Sequence, residues 1–76
     1  MTTVMTNLQE GQLARVVSIL ATGSMRRRLL DLGLIEGTPV ECIQKSPAGD
    51  PIAFAVRGAT IALRSEDSSD ILVTPV

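Results

Sequence analysis

The chain has 76 residues, room for one small domain, and at 45% apolar residues it is too hydrophobic for a disordered segment. A net charge of −1 supplies no long-range field for nucleic acid, and one Phe without Trp or Tyr cannot build the aromatic platforms of single-strand binders or of grooves for proline-rich peptides. One Cys and no His exclude an intrachain disulfide framework and a four-ligand structural zinc site.

The opening "MTTVMTNLQEG" lacks the basic stretch and apolar run of a signal peptide. No apolar run approaches the roughly 20 residues of a transmembrane helix, so the reading is a soluble cytoplasmic domain over residues 1–76. Residues 1–6 are polar and expected to fray, and Asn7 to Gln12 is expected to turn.

From Gln12 to Leu20, "QLARVVSIL" is rich in β-branched residues and reads as a strand, with Leu13, Arg15, Val17 and Ile19 on one face. After the break at Thr22-Gly23, "SMRRRLLDLG" reads as a helix from Ser24 to Leu32, Ser24 as N-cap and Gly33 at C′. Met25, Leu29 and Leu32 recur at i, i+4 and i+7, one apolar stripe. Leu30 lies roughly 100° away from it.

"TPVECIQKS" is the second strand, with Val40 and Cys42 on one face, and "PAGD" a turn closed by Pro51. "IAFAVR" puts Ile52, Phe54 and Val56 on one face; a tight link at Gly58 leads to "TIALR", a short hairpin. "SEDSSD" is a polar turn with Ser65 as cap, and Glu66 and Asp67 favour its N-terminal end. "ILVTPV" is the last strand, placed by Pro75 at an edge or an end. The pattern is mainly β: five short strands with one short helix inserted after the first, a partly open barrel. Its expected core is Val17, Ile19, Leu29, Leu32, Val40, Phe54, Val56, Ile61, Leu63 and Ile71.

Catalytic chemistry is poorly served. "GLIEGTPV" lacks the Lys-Ser/Thr of a phosphate loop, and acyl-transfer triads lack a His. Asp67 and Asp70 read as a solvated acidic turn, since calcium takes six or more oxygens. Cys42 reads as a small buried hydrophobe. The expectation is no catalytic residue, no metal site, no cofactor and no enzymatic activity.

The conspicuous feature is Arg26-Arg27-Arg28 in an acidic chain. With Ser24 as cap they fall in the first turn, where the dipole disfavours each cation by roughly some tenths of a kcal/mol. Such a local conflict marks a candidate functional site. A solvated face, with arginine stems covering the core edge, accounts for the run as well. Leu30, apolar among arginines, favours a protein partner. The candidate partner-binding residues are Arg26, Arg27, Arg28 and Leu30.

From about Leu8 to Val73 the chain resembles the FeoA family. The resemblance rests on Arg28-Leu29-Leu30-Asp31-Leu32-Gly33-Leu34 with Gly37-Thr38, on the Gly49-Asp50-Pro51 turn, on Gly58, and on Ile61-Ala62-Leu63-Arg64. It implies an SH3-like barrel, a fold also found at the C-terminus of iron-dependent transcription regulators. It further implies an accessory role in bacterial ferrous iron uptake, by protein–protein interaction with FeoB, the inner-membrane permease with a cytoplasmic G domain. The protein would then be cytoplasmic, brought to the inner face of the membrane by its partner and not inserted in it. The competing readings are a small-barrel nucleic-acid-binding or regulator-type interaction domain using the arginines, and an iron carrier using Cys42 and carboxylates. Composition disfavours nucleic acid, and the absence of His disfavours the carrier.

Overall fold

The computed structural model describes residues 1–76. Six strands form one antiparallel sheet: β1 (Thr3–Val4), β2 (Leu13–Ile19), β3 (Pro39–Lys45), β4 (Ile52–Val56), β5 (Ala59–Leu63) and β6 (Ile71–Pro75). Their order is β1-β6-β2-β3-β4-β5. Helix α1 (Gly23–Asp31) follows β2, and a single helical turn, α2 (Ser65–Ser68), follows β5. The sheet curls around one apolar cluster that includes Val16, Leu29, Val40, Phe54, Leu63, Ile71 and Val73. Phe54 is fully buried and pairs across strands with Cys42 on one side and Ile61 on the other.

The five expected strands and the inserted helix are all present; the sixth strand comes from the N-terminus. Thr3 and Val4, expected to fray, pair with Val73 and Leu72 of β6. A 3-10 turn at Met5–Asn7 follows, and both Met5 and Leu8 are fully buried. Hydroxyl hydrogen bonds add to the burial of Met5 and Leu8 in holding this segment. Thr6 Oγ1 donates to the Ser65 carbonyl at 3.1 Å and bonds the Ser68 and Ser69 hydroxyls. Lys45 Nζ donates to the Thr6 carbonyl at 3.2 Å. The two ends of the sheet, β1 and β5, share no ladder. The 3-10 turn and α2, which follow them in sequence, bond to each other across the gap, so the barrel is partly open.

Four of the ten expected core residues differ: Val17 is exposed, and Ile19, Leu32 and Ile61 are half-buried. In β2 the buried face carries Ala14 and Val16, while Val17 is 38% exposed. Both faces of this strand carry apolar residues, so alternation alone cannot choose between them. A register shift between Val16 and Ser18 then changes the phase, and Ile19 returns to a half-buried position opposite Ile71. Leu32 and Ile61 are half-buried against the cluster. Pro75 ends β6, which lies inside the sheet between β1 and β2.

The tight link is a two-residue hairpin loop, Arg57-Gly58, with φ of 51° and 82°, the positive pair of a type I′ turn. The expected cap of α2 is corrected. Arg64 is its N-cap residue, and Ser65 gives both its amide (2.7 Å) and its hydroxyl (3.1 Å) to the Asp50 carboxylate. An acid from the β3–β4 turn thus closes the start of α2.

Candidate functional site: the α1 face and its groove

Helix α1 begins earlier than its sequence suggests. Thr22 is the N-cap residue, Ser24 lies inside the helix, and no side chain caps the end. Leu29 of the apolar stripe is fully buried, with Met25 and Leu32 packed beside it. The helix ends in a Schellman motif: the Gly33 amide donates to the Leu30 carbonyl at 2.9 Å and the Leu34 amide to the Leu29 carbonyl at 3.1 Å. Gly33 has φ of 97°, a backbone suited to glycine. Leu34 and Leu29 supply the apolar contact of the motif, both fully buried.

The loop after α1 is held from two sides. Thr38 Oγ1 donates to the Gly33 carbonyl at 2.9 Å and accepts the Ile35 amide at 3.3 Å. Arg57 reaches over from the β4–β5 hairpin; its Nε donates to the Gly33 carbonyl at 3.2 Å and its Nη2 to Thr38 Oγ1 at 3.4 Å. Val16 of β2 closes the other side through its amide to the Thr38 carbonyl (2.9 Å) and its carbonyl from the Gly37 amide (2.8 Å). Ile35 and Glu36 are therefore fixed opposite α1.

The result is a groove of about 220 Å³ between β2, α1 and this loop. Val17, Leu30 and Ile35, one from each element, line it and are 38%, 37% and 46% exposed overall. Arg26 and Glu36 carry its charge. A second, shallower hollow is lined by Gly23, Arg26, Arg27, Leu30 and Asp31, so Arg26 and Leu30 belong to both.

Of the four residues singled out by sequence, three converge here: Arg26, Arg27 and Leu30. Arg28 lines neither hollow. The dipole conflict is corrected as well. With the N-cap at Thr22 the arginines span the middle of the helix, and Arg28 stands in the last turn, where a cation is favourable. Arg26 has a structural partner, since its Nη1 donates to the Ile19 carbonyl at 3.0 Å and ties α1 to the end of β2. Sequence reasoning missed Val17, Ile35 and Glu36. The available signal was an isoleucine inside the glycine-flanked "GLIEG" loop.

No three His, Cys, Asp or Glu side chains are gathered anywhere in the protein. Cys42 is buried. Burial pushes its thiol above the ordinary range, with Lys45 drawing it back in part.

The six-stranded antiparallel barrel with one short helix and a polar turn defines a small SH3-like domain. Solved structures agree. A FeoA protein from Chlorobium tepidum is 33% identical, superposes with a TM-score of 0.90, and covers 96% of this chain and 70% of its own. FeoA of Stenotrophomonas maltophilia, described as a procaryotic SH3 domain protein and crystallised with zinc, is 28% identical with a TM-score of 0.83, over 92% of this chain and 87% of its own. The FeoA domain family model matches residues 3–75, and the chain belongs to the FeoA family. A curated relative is the Fe(2+) transport protein A/Fe(2+) transporter FeoB fusion protein of Porphyromonas gingivalis, 29% identical over 69 residues. The match takes in 91% of this chain and only 8% of that protein's length.

Proposed function

We propose that this chain is a non-enzymatic accessory protein of bacterial ferrous iron uptake. It acts in the cytoplasm by binding the cytoplasmic region of a FeoB-type permease, with Arg26, Arg27, Arg28 and Leu30 in the contact surface. The observation that carries this reading is the fusion relative, in which one chain joins a transport protein A segment to FeoB. Tethering keeps two binding partners at high effective concentration, so a fusion points to components that work in contact. No helix here is long and apolar enough to cross a membrane, so contact with the membrane would come through the partner. The single thiol is buried and no ligand cluster exists, which favours an adaptor over a carrier of iron.

The test is calorimetric titration of the permease's cytoplasmic region, with and without guanine nucleotide, against wild type, Arg27→Glu/Arg28→Glu and Leu30→Ser. Arg27 and Arg28 are exposed, so the charge reversal should leave folding intact and weaken binding. Wild-type affinity in both folded variants would move the interface away from α1, and no binding by wild type would refute the partner itself.

A further inference from the structure

We infer that the groove between β2, α1 and the Leu34–Glu36 loop is the seat of one short partner segment, with an apolar side chain inserted between Val17, Leu30 and Ile35 and a carboxylate on its Arg26/Arg27 side. This rests on the proposed partner and names what that partner must present. Three aliphatic side chains from three separate elements remain exposed at one place, and exposed apolar groups gain most when water is removed from all of them together. The space of about 220 Å³ is below the roughly 300–1,000 Å³ of small-molecule pockets. A space of that size suits one inserted side chain.

Charge fixes the occupant's direction. Arg26 spends one guanidinium nitrogen on the Ile19 carbonyl and keeps the rest of its five N–H donors for an acid. Arg27 stands beside it across the neighbouring hollow. Glu36 lines the groove on the loop element, where it repels an anion and favours a cation. The matching segment therefore reads carboxylate, apolar side chain, then a basic or neutral residue. A second copy packing this same face on itself fits poorly, because two concave patches facing each other leave the groove unfilled. An anionic lipid surface fits poorly too, because Glu36 would face its headgroups.

The experiment uses the full chain and, as probe, the permease's cytoplasmic region. Val17→Ser and Ile35→Ser touch the groove and leave α1 unchanged. Each should weaken binding about tenfold, the size of a buried apolar anchor. Ile43→Ser, equally exposed at 42% but outside the groove, should bind as wild type. Wild-type affinity of Val17→Ser and Ile35→Ser, alongside loss in the α1 variants, overturns the groove and leaves the proposed function standing. No binding by wild type overturns both. Two parallel measurements address other occupants: sedimentation of the protein alone, and co-sedimentation with phosphatidylglycerol vesicles. Self-association or vesicle binding that Ile35→Ser abolishes would assign the groove to a second copy or to lipid, and overturn the inference.

Discussion

Replacing Gly33 by alanine tests the device that positions the groove. Gly33 sits at φ of 97°, and an added Cβ would lie 2.6 Å from Arg57 Cδ and 2.9 Å from Arg57 Nε. Holding an L-residue in such a backbone costs about 1–3 kcal/mol. The arginine must also swing away and give up its bonds to the Gly33 carbonyl and Thr38. Both bonds are long, one exposed and the other only partly buried, so together they are worth about 1 kcal/mol. The expected total is about 2–4 kcal/mol, against an overall stability of about 4–11 kcal/mol for a chain of this length. With no Trp or Tyr, unfolding is best followed by far-ultraviolet circular dichroism in urea. The two costs separate in a double-mutant cycle. In an Arg57→Ala background the clash is gone, and Gly33→Ala should cost only the backbone strain, about 1 kcal/mol less than in wild type. Equal costs in both backgrounds would refute the latch; no cost in either would refute the left-handed glycine.

Three other outcomes follow from burial. Phe54→Ala removes the one aromatic ring from a fully buried site and should cost about 3–5 kcal/mol; a near-neutral thermal shift would contradict its placement. Met5→Ala should cost about 2–5 kcal/mol if the N-terminal turn is docked as described, whereas a frayed terminus would give no change in urea midpoint. Burial raises the Cys42 thiol, so at alkaline pH the folded protein keeps a proton that the unfolded chain loses. Stability from this group is fully present below the ordinary thiol range and declines above it, by at most about 1.36 kcal/mol per pH unit. The stability gap between wild type and Cys42→Ala should therefore narrow from pH 7 to pH 10, and a constant gap would count against it.

The fold was legible where one periodicity stood alone. In β4, "IAFAV" alternates large with small residues, and every large one is buried; α1 has one apolar stripe, and its central leucine is at the core. Legibility failed where two patterns competed. β2 carries apolar residues on both faces, and the choice was made by tertiary contacts: Val16 exchanges backbone bonds with the Gly37–Thr38 loop, and the register shifts just after it. It also failed where a short segment borrows its stability. "MTTVMTN" has neither periodicity nor length, and its order comes from burial of Met5 in the core and from hydrogen bonds to residues about sixty positions away.

The site divides along the same physical line. Leu30 could be found from helical phase alone, because its angle to the Met25–Leu29–Leu32 stripe is a local quantity. The arginines stand out as a basic run in an acidic chain, but the dipole conflict read from an N-cap at Ser24 goes, because Thr22 takes that position. Two of the three then have a structural account: Arg26 binds the end of β2, and Arg28 stands near the favourable end of the helix. The proposed docking groove adds to the charge run an aliphatic trio, which no local rule unites. Val17 owes its exposure to the phase of β2. Leu30 owes its position to the helix. Ile35 is held by Thr38, while Arg57 pins the adjoining Gly33 carbonyl from more than twenty residues further along the chain. A groove assembled in this way depends on a few bonds at its corners, so a change at Arg57 or Gly33 should alter partner binding without touching any residue that lines the groove.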